Sequence, residues 1–164
     1  MPHRIDRQGL QADLGLPWLI VVMAAVVLAA IVLVCQILGA DLQQQPFPEA
    51  TREWIRTVLY GIGIVAFPFT NLLRHVQLRL NQTMPIGNVA YGKVAKKRYL
   101  QTVVVSVSLI QSPGLYGLIM FLLGDPFNTL IIFTLMSALG LYLYRPKLDE
   151  YERLMVALAN QDHE

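Results

Sequence analysis

Between Tyr99 and Gly124 the chain runs 26 residues without a charged side chain. The hydrocarbon core of a bilayer is about 30 Å thick, and at about 1.5 Å per residue a helix needs about 20 mostly apolar residues to cross it. This run is long enough, and three others match or approach it. Leu14 to Ala40 is uncharged between Asp13 and Asp41, and its centre, Trp18 to Leu38, is almost wholly Val, Ile, Leu and Ala. Thr57 to Leu73 lies between Arg56 and Arg74 and is the shortest, so Trp54 and Ile55 extend it toward the interface while the arginines snorkel outward. Phe127 to Tyr144 follows the third run after only Gly124, Asp125 and Pro126.

Backbone in hydrocarbon has to satisfy its own hydrogen bonds, which makes each run a helix. The expected fold is all-α: a polytopic membrane protein with four transmembrane helices in two hairpins, spanning approximately 16–38, 55–74, 99–123 and 127–144. Residues 1–164 then form a single membrane domain. Composition agrees, with 55% apolar residues, 15% charged and a mean hydropathy of +0.49. Trp18, Trp54, Tyr60, Tyr99, Phe127, Tyr142 and Tyr144 fall near the ends of the spans, where aromatic side chains anchor at the headgroups.

Orientation follows from the basic residues. Arg4 and Arg7 precede the first span. Arg74, Arg79, Lys93, Lys96, Lys97 and Arg98 occupy the central loop, and Arg145, Lys147 and Arg153 the C-terminal tail. That places 11 of the 13 Lys and Arg on one side, leaving Arg52 and Arg56 on the other. By the positive-inside rule both termini and the central loop are cytoplasmic, and the bias points to a bacterial inner membrane. The net charge of +2 is therefore a topology signal and not the footprint of a nucleic-acid reader.

A cleaved signal is not expected: the first apolar run outlasts the 7 to 15 residues or so of a signal h-region, and Val34 stands before Cys35 where a lipoprotein signal wants a small residue. Cys35, the only cysteine, reads as a small apolar core residue. Gln43, Gln44, Gln45, Pro46, Phe47 and Pro48 form an extended stretch before a helix that starts near Glu49. The second helix continues past the membrane surface, Met84 to Asn88 form a turn, and Val89 to Arg98 lead into the third span. In the tail of 145–164, Leu148, Tyr151, Met155 and Leu158 are spaced as one face of a short amphipathic helix over Leu148 to Asn160. Its mixed polar face favours docking to a partner or to the chain itself over binding to anionic lipid.

Apart from Arg56 and Arg74, which snorkel outward at the two ends of the second span, no Asp, Glu, Lys, Arg or His lies inside the expected spans, whereas proton relays and ion-coupled carriers usually place one there. His3, His75 and His163 sit on tails or near an interface, so no pair of imidazoles can face across the bilayer to hold haem. There is no Cys and His spacing for a metal. Ser106, Ser108, Ser112 and Ser137 have no neighbouring base to activate a nucleophile. The expectation is a protein that is not an enzyme and carries no cofactor.

What remains is suited to helix contact. Ser106, Pro113, Gly117 and Gly124 recur at steps of seven, four and seven along one face of the third span. Gly61 and Gly63 in the second span, Ser137 and Gly140 in the fourth, and Ala24, Ala25, Ala29 and Ala30 in the first offer matching narrow surfaces. Pro68 and Pro113 free the carbonyls of Ile64 and Leu109, and Asn71 and Gln111 are available to satisfy them. An unpaired amide in hydrocarbon costs roughly 4 to 8 kcal/mol on an alkane scale, so Gln111 should face protein.

The run from Ser108 through Gln111, Ser112, Pro113, Gly114, Leu115, Tyr116 and Gly117 to Phe127 resembles the C-terminal helix of the proteolipid, ring-forming c subunit of rotary ATP synthases. The likeness extends over residues 87–127 when the basic loop of Gly92, Lys93 and Lys96 to Arg98 is included. In that family a carboxylate precedes a Tyr-Gly-Leu element. Here Gln111 stands in its place, so the resemblance implies a proteolipid-like ring subunit without the proton cycle.

Two function classes follow. The first is an accessory or assembly subunit that forms a homo-oligomer or joins a larger membrane complex, with Gln111, Ser108, Ser112, Asn71, Pro113, Gly117, Gly61 and Gly63 as its interhelical polar and packing residues. The second is a small channel or transporter whose polar path runs past Gln111, Ser108, Ser112 and Asn71.

Overall fold

A computed structural model describes residues 7–43, 46–85 and 90–161. His3, Arg4, Gln44, Gln45, Ile86, Gly87, Asn88, Val89 and His163 lie outside the described residues, so the turn expected at 84–88 is described only at its start.

Six helices and no strand make up the described residues: α1 (Arg7–Asp13), α2 (Gly15–Leu42), α3 (Glu49–Thr83), α4 (Tyr91–Leu122), α5 (Phe127–Leu143) and α6 (Leu148–Gln161). Each expected apolar span falls inside one of α2 to α5 or overlaps it to within a residue. Leu14 joins α1 to α2 through hydrogen bonds to the carbonyls of Leu10 and Gln11, so the pair runs almost as one helix. Pro17 is tolerated in the first turn of α2, where its missing N–H has no partner to lose. Three helices are long and apolar enough to cross a membrane: the α1–α2 unit from Gly9 to Gly39, α3 and α4. The fourth candidate combines α5 with α6, which are bent by 46° at the break between them. Alone, the 17 residues of α5 reach about 25 Å.

The 35 residues of α3 and 32 of α4 correspond to roughly 52 and 48 Å, well beyond a hydrocarbon core of about 30 Å. The surplus lies at one end of the molecule. There the last turns of α3, the first turns of α4, and α1 gather around α6. Tyr151, Leu154 and Leu158 of α6 are fully buried against Leu10, Leu14, Ala95 and Tyr99. The amphipathic tail helix therefore docks on its own chain. The basic residues of the central loop and tail collect at this end, and Arg52 and Arg56 stand at the other.

Within its most apolar stretch α4 has 44% of its residues buried, against 17% for the α1–α2 unit and 11% for α3. So α4 is the central helix. α2, α3, α5 and α6 all pack on it, and α5 is its closest partner, returning antiparallel after the Gly124–Asp125–Pro126 turn. Large apolar side chains remain uncovered along α2 and α3, including Leu19, Val26 and Ile37 on the first and Ile64, Phe69 and Leu72 on the second. Such continuous apolar surface is rare on a protein surrounded by water.

Candidate functional site

Midway along α4, four consecutive residues tie three helices together. The Gln111 amide Nε2 donates to the backbone carbonyl of Ala24 in α2 at 3.1 Å. Ser112 Oγ turns back and donates to the Leu109 carbonyl at 2.7 Å. Leu109 is the residue whose carbonyl Pro113, lacking an N–H, leaves without its helical donor. Gly114 then gives its N–H to Ser137 Oγ in α5 at 2.7 Å. For the Leu109 carbonyl, the expectation that Gln111 or Asn71 would satisfy it is corrected here: Ser112, three residues away on the same turn, already reaches it, which leaves Gln111 free to point at α2.

Small residues let the backbones approach around this break. A Cβ on Gly117 would sit 2.8 Å from Phe133 Cβ and 3.2 Å from the Leu130 carbonyl, both on α5. Gly63 brings α3 in, with Met136 Cε 3.0 Å from where its Cβ would stand and Pro113 Cβ at 3.9 Å. Gly140 takes Ile110 against it in the same way. Buried Ser106 bonds back to the Thr102 carbonyl at 2.8 Å and so presents no donor to a neighbour.

Gln111, Ser112, Pro113, Gly117 and Gly63 are thus brought together. Three other residues of the expected set are placed differently. Asn71 and Ser108 are exposed, and Gly61 has open space where its Cβ would be. Gly61 and Ser112 line an apolar groove of about 490 Å³ between α3 and α4 with Val58, Val65, Phe69 and Tyr116. The Gln111 side-chain oxygen is buried and has no partner among the described residues.

Two polar centres at the ends of the bundle escaped the sequence reading. At the Arg52 end, Asp125 is 2% exposed and faces Arg56 Nη1 at 3.2 Å and Arg52 Nη1 at 3.6 Å. Arg52 also donates to the Gly124 carbonyl. Gln43 Nε2 donates to the carbonyls of Phe121 and Asp125, both at 2.9 Å, and Phe47 N–H to that of Leu123 at 3.0 Å. These donors reach carbonyls at the end of α4 and in the turn that follows it. Gly124 takes φ +95°, and Pro46 packs where a side chain would project. The signal was present in the sequence: the only two basic residues of that side, and one acid wedged between two apolar runs.

At the basic end, Arg74 of α3 is 5% exposed. It donates to the Tyr144 carbonyl at 2.8 Å and to Glu150 Oε2 at 2.6 Å, bridging the end of α5 and the start of α6. Tyr99 OH donates to the Lys147 carbonyl and accepts from the Lys147 N–H, fixing the same break. Asp13 pairs with Lys96 at 2.8 Å and accepts from Tyr151 OH at 3.2 Å. Burial, and then the neighbouring Asp13 carboxylate, push the Tyr151 hydroxyl above its ordinary range, which keeps it a donor. Among the described residues no group of three or more His, Cys, Asp or Glu is placed to hold a metal ion. Comparison with known protein families, with curated proteins and with solved structures finds no match to this chain.

Proposed function

We propose that this chain is a non-catalytic integral membrane protein, an accessory or assembly subunit with four spans in two hairpins and both termini on the cytoplasmic side of a bacterial inner membrane. One observation carries the reading. Gln111, Ser106, Ser112 and Ser137, polar side chains near the bundle axis, are spent on hydrogen bonds within or between helices, while the outer faces of α2 and α3 stay apolar and uncovered. The segregation of basic residues to the α6 end supports the orientation. Gly61, open on the α3 surface, and the exposed Ala25, Ala29 and Ala30 of α2 are the narrow places at which another helix can approach.

The transport reading needs Gln111, Ser108, Ser112 and Asn71 on one path, and these four do not converge. A proteolipid-like ring would use α4 against neighbouring copies, yet α4 is the most buried of the three long apolar helices. Purification in mild detergent followed by mass measurement of the intact assembly tests the proposal. An oligomer or a complex with a second membrane protein is expected; a monomer without partners refutes it.

A further inference from the structure

The cleft between α3 and α4 carries two cavities of opposite character. At the basic end, a pocket of about 440 Å³ is lined by Asn81 of α3, by Met84 just past its end and by Lys93, Lys97, Arg98 and Gln101 of α4. No carboxylate lines it, and among the described residues neither lysine has an acidic partner. Arg98 donates to the carbonyls of Asn81, Met84 and Pro85 at 2.8 to 3.1 Å, so it closes the end of α3 and leaves its charge unneutralised. Farther along the same helix pair lies the apolar groove of Phe69, Leu109 and Ser112.

One helical stripe joins the two. Val94, Arg98, Gln101, Val105, Leu109 and Ser112 follow at steps of four, three, four, four and three and therefore share a face of α4, with Lys93 and Lys97 beside its basic end. Leu109 lies eight residues beyond Gln101, roughly 12 Å along the axis, within the depth of about 15 Å that one leaflet offers to acyl chains. The cleft is positive where a headgroup would lie and apolar where its chains would run.

We infer that this cleft binds one anionic phospholipid, with its phosphate between Lys93 and Lys97, the Gln101 amide as a further donor, and an acyl chain along Leu109 and Phe69. Charge complementarity selects this occupant: a partner helix would fill the groove but leave the two lysines unpaired, and a basic pocket beside spans on the positive side is the kind of site that takes anionic headgroups. The inference rests on the membrane orientation proposed above.

Native mass spectrometry of the full chain in detergent tests it, with phosphatidylglycerol, phosphatidylcholine of the same acyl chains, and glycerol 3-phosphate as three separate probes. One phosphatidylglycerol per chain should be retained at least tenfold more than phosphatidylcholine. The Lys93→Gln/Lys97→Gln variant, whose side chains are exposed and whose fold should not suffer, should lose that preference. Equal retention of the two lipids, or a preference that survives the double substitution, overturns the inference. Glycerol 3-phosphate binding as tightly as the lipid also overturns it, because the apolar groove would then contribute nothing. Extraction of the chain from membranes by alkaline carbonate would instead refute the membrane reading itself.

Discussion

Asp125, in the turn between α4 and α5, lies 3.2 Å from Arg56 of α3, 69 residues earlier in the chain, and is 2% exposed. A buried carboxylate facing two partly exposed guanidinium groups is a clamp whose value depends on both signs of charge being present. Asp125→Asn keeps the shape and removes the charge. It should destabilise the folded chain by about 2 to 3 kcal/mol, just below the roughly 3 to 5 kcal/mol that breaking a fully buried pair costs, because Arg52 and Arg56 keep some water. Thermal unfolding in detergent measures it, and Arg56→Gln should cost less, since Arg52 remains.

Gly117 and Gly61 make a matched pair of tests. Gly117→Ala forces a methyl group into contact with Phe133 and the α5 backbone, and should cost about 1 to 3 kcal/mol. Gly61→Ala enters open space and should be neutral or slightly stabilising, since alanine is the better helix former by about 1 kcal/mol. Equal unfolding midpoints for the two variants would contradict the packing described for α4 on α5.

Gln111→Leu removes the bond to the Ala24 carbonyl, and also removes a buried amide oxygen that has no partner. The loss of an interhelical bond, about 0.6 to 2 kcal/mol, is offset by relief of the unpaired acceptor. The expected net change in stability is under about 1 kcal/mol, with topology unchanged. A loss of several kcal/mol would mean that the amide oxygen has a partner in the folded protein.

Arg74→Lys should loosen α6. A lysine carries one ammonium on a flexible stem and cannot reproduce the planar fork that reaches both the Tyr144 carbonyl and Glu150. Hydrogen exchange should show faster exchange across Leu148–Gln161 in the variant, and slower exchange in α4 should persist. Glu150→Gln, which leaves the carbonyl contact in place, should have the smaller effect.

Much of the helical layout was readable from the chain. Hydropathy is a local sum, so the positions of α2, α3, α4 and α5 follow from runs of apolar residues bounded by charge, and the period of Leu148, Tyr151 and Leu158 marked α6 as amphipathic. Periodicity also put Ser106, Pro113 and Gly117 on one face. It could not say which helix that face meets. Nor could it separate Gly63, pressed against Met136, from Gly61, two residues away and open.

The chain by itself determined the helices, their apolar character and the grouping of basic residues, because these depend on side chains within a few turns of one another. Only the tertiary structure decided that Gln111 reaches α2, that Ser112 covers the carbonyl freed by Pro113, and that Asp125 and Arg74 close the two ends of the bundle. Those contacts join residues as many as 87 positions apart. Their partners are chosen by how four helix faces of similar composition pack, and pattern along one helix carries no record of its neighbour.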